Sequence, residues 1–220
     1  MQSELFDEPA DRPAIQQLAA GAWWLRGAAR PYEQALLAAI MACAQDAPFR
    51  HLEVPGGHRM SVAMTNAGRL GWMSDRQGYR YVPTDPLSGR PWPALPPIVA
   101  RVAGQAAIAA GYPHWRADMC LINRYAPGAR LSLHQDRDEG DFSQPIISLS
   151  LGLPATFLWG GLHRTDKARR LRLLSGDVVV WGGPARLTYH GVAPLAAGSH
   201  PLTGALRYNI TLRQAGQSPG

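Results

Sequence analysis

From Asp118 onward the chain reads as a succession of short strands, and this run limits the fold more than any other feature. The segments are Met119–Tyr125, Ala129–His134, Pro145–Leu151, Thr156–Trp159, Arg169–Leu174, Asp177–Trp181, Arg186–Val192 and Ala205–Arg213. Pro127-Gly128, Gly160-Gly161, Ser175-Gly176-Asp177 and Gly182-Gly183-Pro184 punctuate them with residues that favour turns. Short strands at such regular spacing are expected to close into a jelly roll or similar double-sheet barrel.

Two helices are predicted upstream. Tyr32–Gln45 is rich in Ala, Leu and Ile and follows Pro31, while Pro96-Pro97 opens Ile98–Ala110, which Gly111 ends. Residues 54–97 carry many Gly, Pro and aromatic residues and read as loops and short strands. Residues 1–20 read as a loosely ordered lead-in, 21–215 as one domain and 216–220 as a tail. The expected class is α+β, mainly β, with a double-stranded β-helix (jelly-roll) core over 118–213 behind N-terminal helices. No internal repeat is evident.

A hydrophobic content of 46% over 220 residues supports a substantial core. No run approaches the ~18 apolar residues of a membrane span. The start, Met1 to Glu8, is acidic where a signal peptide is basic, which leads to the expectation of a cytoplasmic protein without membrane contact. Cys43 and Cys120 form no CxxC pair and sit among apolar neighbours, so they read as core residues. The net charge is +6, with Arg164, Lys167, Arg169, Arg170 and Arg172 gathered together. That balance suits a phosphate-bearing partner, and equally a solvated basic surface.

His134-Gln135-Asp136 is followed, 54 positions after Asp136, by His190. Two histidines and a carboxylate make the facial triad of non-haem Fe(II) oxygenases, which leaves metal positions open for oxygen and a co-substrate. By spacing alone the pair also reads as ordinary polar strand residues, and His51-Leu52-Glu53 shows how easily such spacings arise. Strand context favours the metal, because a jelly roll can bring the end of an early strand and a late strand to one mouth.

In Arg207-Tyr208-Asn209-Ile210-Thr211-Leu212-Arg213, alternation puts Arg207, Asn209, Thr211 and Arg213 on one face. This reads either as an edge strand with one wet face or as a clamp. Two arginines about 20 Å apart along the strand, each with a flexible stem reaching roughly 6 Å, can bracket a small dicarboxylate. Asn123 and Tyr125 form a similar alternating polar pair.

Together these segments resemble the AlkB family of DNA-repair dioxygenases. The resemblance extends through Pro55-Gly56-Gly57, Met60 to Asn66, Leu121 to Gly128 and Gly176 to Gly183, and covers residues 20–215. It implies that His134, Asp136 and His190 bind Fe(II) and that Asn123, Tyr125, Arg207, Asn209 and Arg213 bind 2-oxoglutarate. O2 is then the second co-substrate, and succinate, CO2 and formaldehyde are released as an N-methyl group is removed. The implied substrates are 1-methyladenine and 3-methylcytosine in DNA, preferably single-stranded, and also in double-stranded DNA and RNA, acted on by a monomer. The segment 50–95 becomes a nucleotide-recognition lid. Trp72, Tyr79 and Tyr81 are then substrate contacts on a flipped base, where the residues alone favour core anchors. Asp138 and Arg164 are further implied contacts, the first facing the positive charge of the lesion, although Asp138-Glu139-Gly140-Asp141 is also a plain acidic turn. The remaining readings are bland: His51, His58, His114, His163 and His200 as surface or loop residues, and Trp23, Trp92, Trp115, Trp159 and Trp181 as packing. A metal-binding jelly roll without catalysis is the alternative outside enzymes.

Overall fold

The computed structural model describes residues 14–216. In chain order the strands are β1 Ile15–Ala19, β2 Ala22–Leu25, β3 Arg50–Glu53, β4 Arg59–Gly68, β5 Gly71–Asp75, β6 Gly78–Val82, β7 Met119–Tyr125, β8 Leu131–His134, β9 Ile146–Gly152, β10 Ala155–Trp159, β11 Arg169–Leu173, β12 Val178–Trp181, β13 His190–Val192 and β14 Arg207–Arg213. The helices are α1 Glu33–Asp46 and α2 Pro97–Ala109. The large sheet runs β1-β2-β12-β9-β14-β7-β4-β3, the small one β11-β10-β13-β8, and β5-β6 form a separate hairpin. The strands β7 to β14 are thus shared equally between two facing antiparallel sheets, which is the expected jelly roll.

Alternation explains how the large sheet serves two purposes. Tyr208, Ile210 and Leu212 of β14 join Cys120 and Ile122 of β7 and Ile147 and Leu149 of β9 in a core beneath the helices. Leu36, Ile40 and Cys43 of α1 and Val99, Val102, Ala103, Ala106 and Ala107 of α2 close that core. The opposite face of the same strands looks between the sheets. The edge-strand reading of Arg207–Arg213 is therefore corrected: β14 lies between β9 and β7, pairing with both, and its polar face is enclosed. The α2 terminus shows why Gly111 ends that helix. Gly111 has φ 86°, and the amides of Tyr112 and Gly111 donate to the carbonyls of Ala107 and Ile108, a Schellman closure that favours glycine.

Three expectations change. The lead-in over 1–20 is ordered in its last part, where Ile15–Ala19 pairs with β2 at the sheet edge; residues 1–13 lie outside the described residues, as do 217–220 of the tail. The segment 54–97 holds more than loops and short strands: β4 is ten residues long, pairs with β7 from Ala63 to Gly68 and is buried from Val62 to Ala67, so it belongs to the large sheet. Arg186–Val192 shortens to His190–Val192, because the 3-10 turn Gly183–Ala185 runs on into local bonds, with the amides of Arg186 and Thr188 donating to the carbonyls of Gly183 and Ala185. Among the described residues no helix is long and apolar enough to cross a membrane.

Candidate active site

His134 ends β8 and His190 begins β13, and the two residues are direct partners in the pairing of these strands. The register shifts after His190, at Gly191, where a Cβ would stand 2.7 Å from the Leu131 carbonyl oxygen. Glycine thus permits the close approach that sets the two imidazoles side by side, with centroids 4.4 Å apart. Asp136 follows in the loop after β8. Its Oδ1 lies 3.7 Å from His134 Nε2 and its Oδ2 lies 3.5 Å from His190 Nε2. One ligand atom from each residue falls within 4.8 Å of the others, a spacing that can hold one divalent metal.

The backbone sets the donor atoms. His134 Nδ1 is 2.9 Å from the Ser132 carbonyl and His190 Nδ1 is 3.0 Å from that of Thr188. Both Nδ1–H groups donate, which leaves both Nε2 lone pairs for a metal. Desolvation, helped by the neighbouring His190, lowers the His134 pKa, although this side chain, 38% exposed, is the most open of the three. Burial alone would raise the Asp136 pKa; the Arg213 guanidinium and the two histidines outweigh it and hold the carboxyl well below the usual range. Trp181, read as packing, stands edge-on to His190 at 4.9 Å and fixes that ring from behind.

The second cluster lies on β14 and β7. Arg207 is 1% exposed; its Nη2 donates to Ser150 Oγ at 2.8 Å and its Nη1 to the Leu153 carbonyl at 3.3 Å. Burial lowers its pKa to about 10, still charged at neutral pH. Asn209 donates to Ser148 Oγ and the Leu149 carbonyl, and its Oδ1 accepts from Asn123 and Thr211. Arg213 lies at the metal cluster, 2.8 Å from Asp136 Oδ2. Arg207 Nε, the Tyr125 hydroxyl and Asn123 Oδ1 are buried without a hydrogen-bond partner among the described residues. Such atoms are costly when unsatisfied, and a carboxylate beside Arg207 and Tyr125 would satisfy two of them. The residues therefore fit a dicarboxylate with one end on Arg207 and the other near the metal ligands.

One cavity of about 720 Å3 joins the expected residues. His134, Asp136, His190, Asn123, Tyr125, Arg207, Asn209 and Arg213 line it, as do Trp72, Tyr79, Asp138 and Arg164. Trp72 and Tyr79 stack at 5.6 Å across the β5-β6 hairpin. Burial and neighbouring Glu139 raise the Asp138 pKa. Tyr81 is not among the lining residues of this cavity; its hydroxyl donates to Glu139 Oε1 at 2.8 Å. His58, expected to be bland, lines the cavity together with Arg59 and Arg130. Sequence reading also passed over Glu139 and Arg186, both buried beside Asp136. Glu139 looked like one member of an acidic run and Arg186 like the start of a strand, and no spacing signal marked either.

Comparison with known proteins places this geometry in a wider set. The family model of the 2OG-Fe(II) oxygenase superfamily matches residues 21–213. The chain is 56% identical to the alpha-ketoglutarate-dependent dioxygenase AlkB of Salmonella typhimurium, over 97% of this chain and 98% of that one. It is 57% identical to the protein of the same name from Escherichia coli, over 93% and 95% respectively. Among solved structures, one described as the structure of OsALKBH1 superposes with a TM-score of 0.81 at 28% identity, covering 91% of this chain and 99% of that one.

Proposed function

The chain belongs to the 2OG-Fe(II) oxygenase superfamily, and from that premise we propose that it reverses alkylation damage by oxidative demethylation of N-alkylated bases in nucleic acid. It is an Fe(II)- and 2-oxoglutarate-dependent dioxygenase. One observation carries the substrate reading: a single cavity is lined by the His134, Asp136 and His190 cluster, by Arg207, and by the stacked pair Trp72 and Tyr79. A metal-binding module without catalysis has no use for a buried guanidinium and stacking rings in the same space.

With O2, the iron and 2-oxoglutarate supply the insertion of one oxygen atom into a C–H bond of the N-methyl group, while the other atom enters succinate and CO2 leaves. The chain's own residues bind, orient and shield. His134 and His190 would each present an imidazole Nε2, and Asp136 its carboxylate, to the metal. Arg207 and the Tyr125 hydroxyl take the distal carboxylate of 2-oxoglutarate, Asn123 and Asn209 shape the space beside it, and Arg213 serves the metal end. Leu131, Phe157, Leu173 and Val192 line the cavity and keep bulk water from the reacting carbon.

A base must leave its stack to reach so enclosed a centre. Trp72 and Tyr79 offer it a stacking surface, worth about 1–3 kcal/mol per base. Asp138 faces the positive charge of 1-methyladenine or 3-methylcytosine, and Arg164 contacts the nucleotide. Single-stranded DNA is preferred because an unpaired base costs less to extrude; double-stranded DNA and RNA are also substrates. Once the methyl group carries a hydroxyl, that hydroxyl loses its proton and the C–N electron pair returns to the ring nitrogen. Formaldehyde departs and the base is again neutral. The protein acts as a cytoplasmic monomer.

Mass spectrometry of a 3-methylcytosine oligonucleotide incubated with enzyme, Fe(II) and 2-oxoglutarate tests this. Loss of one methyl group with formaldehyde release is expected. An unchanged oligonucleotide, with a protein that still forms its complex with iron and keto acid, would remove the substrate class.

A further inference from the structure

Behind the ligand carboxylate lies a buried set of charges that the proposed reaction does not use directly. The Glu139 side chain is 0% exposed and sits between two arginines, its Oε2 3.2 Å from Arg186 Nη2 and its Oε1 3.5 Å from Arg213 Nε. Tyr81, on β6, donates its hydroxyl proton to the same Oε1 and accepts from Arg213 Nη1 at 3.4 Å. The two arginines reach Asp136 from different sides. Arg213 holds its carboxylate at 2.8 Å, and Arg186 Nη1 donates to its backbone carbonyl at 2.8 Å. Arg186 Nε also donates to the Gln144 carbonyl at 3.2 Å. One buried side chain therefore pins the loop after β8 at its start and its end.

Taking four charged groups out of water is expensive, and well-packed apolar residues often serve stability as well or better. What the charged set adds is direction. Arg186 fixes the loop by hydrogen bonds to two carbonyls, while the contacts of Arg186 with Glu139 and of Arg213 with Glu139 and Asp136 are ion pairs without aligned hydrogen bonds. Metal ligands are normally oriented by partners behind them. Ser132 and Thr188 do this for the two imidazoles, which leaves the carboxylate.

We infer that Glu139 and Arg186 are positioning residues that hold Asp136 in its ligating orientation, with Tyr81 tying that hold to the lid strand β6. This rests on the metal site proposed above. Neither residue is among those lining the cavity; they act through Asp136 and Arg213.

Co(II) titration of the otherwise metal-free protein reads the effect without turnover, because its visible bands report ligand geometry. Glu139→Gln removes one charge at nearly constant shape and is expected to weaken Co(II) binding about 10- to 100-fold, the range for partners behind metal ligands, and to alter the bands. Tyr81→Phe removes only a hydroxyl at the far corner of the network and should weaken binding roughly threefold, a smaller share of that range. If Glu139→Gln does not fold, the double variant Glu139→Gln/Arg186→Gln, which removes both partners, takes its place with the same expected loss. Folded variants with wild-type Co(II) affinity and wild-type bands overturn the inference and leave the metal site standing. Absence of Co(II) uptake by the unsubstituted protein removes the metal site and the inference together.

Discussion

Arg213 Nη2 stands 2.8 Å from Asp136 Oδ2, so the arginine assigned to the keto acid and the carboxylate assigned to the metal form one buried ion pair. The two roles are therefore coupled. Both side chains are under a tenth exposed, and breaking a buried pair leaves an uncompensated charge. Arg213→Gln should lower Fe(II) affinity by about 10- to 100-fold and raise the KM for 2-oxoglutarate in the same variant. Anaerobic metal titration and succinate assays read the two effects. A change in KM with unaltered metal affinity would show that the pair does not orient Asp136.

Asp138 lines the cavity, two residues beyond Asp136. Asp138→Ala is expected to slow repair of the cationic lesions 1-methyladenine and 3-methylcytosine by about tenfold, which corresponds to about 1.4 kcal/mol. Neutral alkylated bases should lose much less. Side-by-side repair assays decide, and equal losses on both classes would assign Asp138 to the fold of its loop.

Much of this was legible in the chain, for physical reasons that can be named. Period-two alternation and turn residues are local, so apart from Arg186–Val192 the strands from Met119 to Arg213 were found within two residues at each end, and with them the shared face of Arg207, Asn209, Thr211 and Arg213. Partnership across the chain is not local. β1 pairs only because β2 offers an edge, and β4 belongs to the large sheet only because β7 lies beside it. Glu139 is the sharper case. In the sequence it is one of several acidic residues in a turn. Its burial depends on Tyr81, Arg186 and Arg213 arriving from three other segments. The contact made by Tyr81 was hidden for the same reason, since alternation places it with Tyr79 but cannot reveal the carboxylate that takes its hydroxyl proton.

Stability should respond to acid through Asp85, in the segment assigned to the lid. Arg50 holds its carboxylate with two contacts, Nη1 to Oδ1 at 2.5 Å and Nη2 to Oδ2 at 2.8 Å. The Asp85 side chain is 2% exposed. Arg50 lowers its pKa, with a smaller contribution from the Leu87 amide. A carboxyl with a depressed folded pKa adds stability that is fully present above the unfolded value, about 4, and is lost as pH falls through the folded value. Asp85→Asn should cost about 2–4 kcal/mol at neutral pH and flatten the pH dependence of unfolding below pH ~4. Urea melts at several pH values measure both. A variant whose pH profile parallels the wild type would place the acid sensitivity elsewhere.

The carboxylate clamp makes the last prediction, because Arg207 and Tyr125 differ in what their loss leaves behind. Arg207 is 1% exposed and spends two N–H groups on Ser150 and Leu153, leaving Nε buried without a protein partner. Lysine at this position keeps the charge but has no fork, so it cannot hold Ser150 and a carboxylate in one plane. Arg207→Lys should therefore raise the KM for 2-oxoglutarate at least tenfold, about 1.4 kcal/mol. The Tyr125 hydroxyl is also buried without a partner among the described residues, so Tyr125→Phe removes an unsatisfied group from the free protein as well as the proposed contact with the keto acid. Those effects oppose each other differently in folding and in binding. Tyr125→Phe should leave thermal stability unchanged or slightly higher, within about 1 kcal/mol, and still raise the KM about three- to tenfold for one lost hydrogen bond. Calorimetry and succinate release against 2-oxoglutarate concentration separate the two. A destabilised Tyr125→Phe with an unchanged KM would make that hydroxyl part of the core, and Arg207 would then hold the distal carboxylate without it.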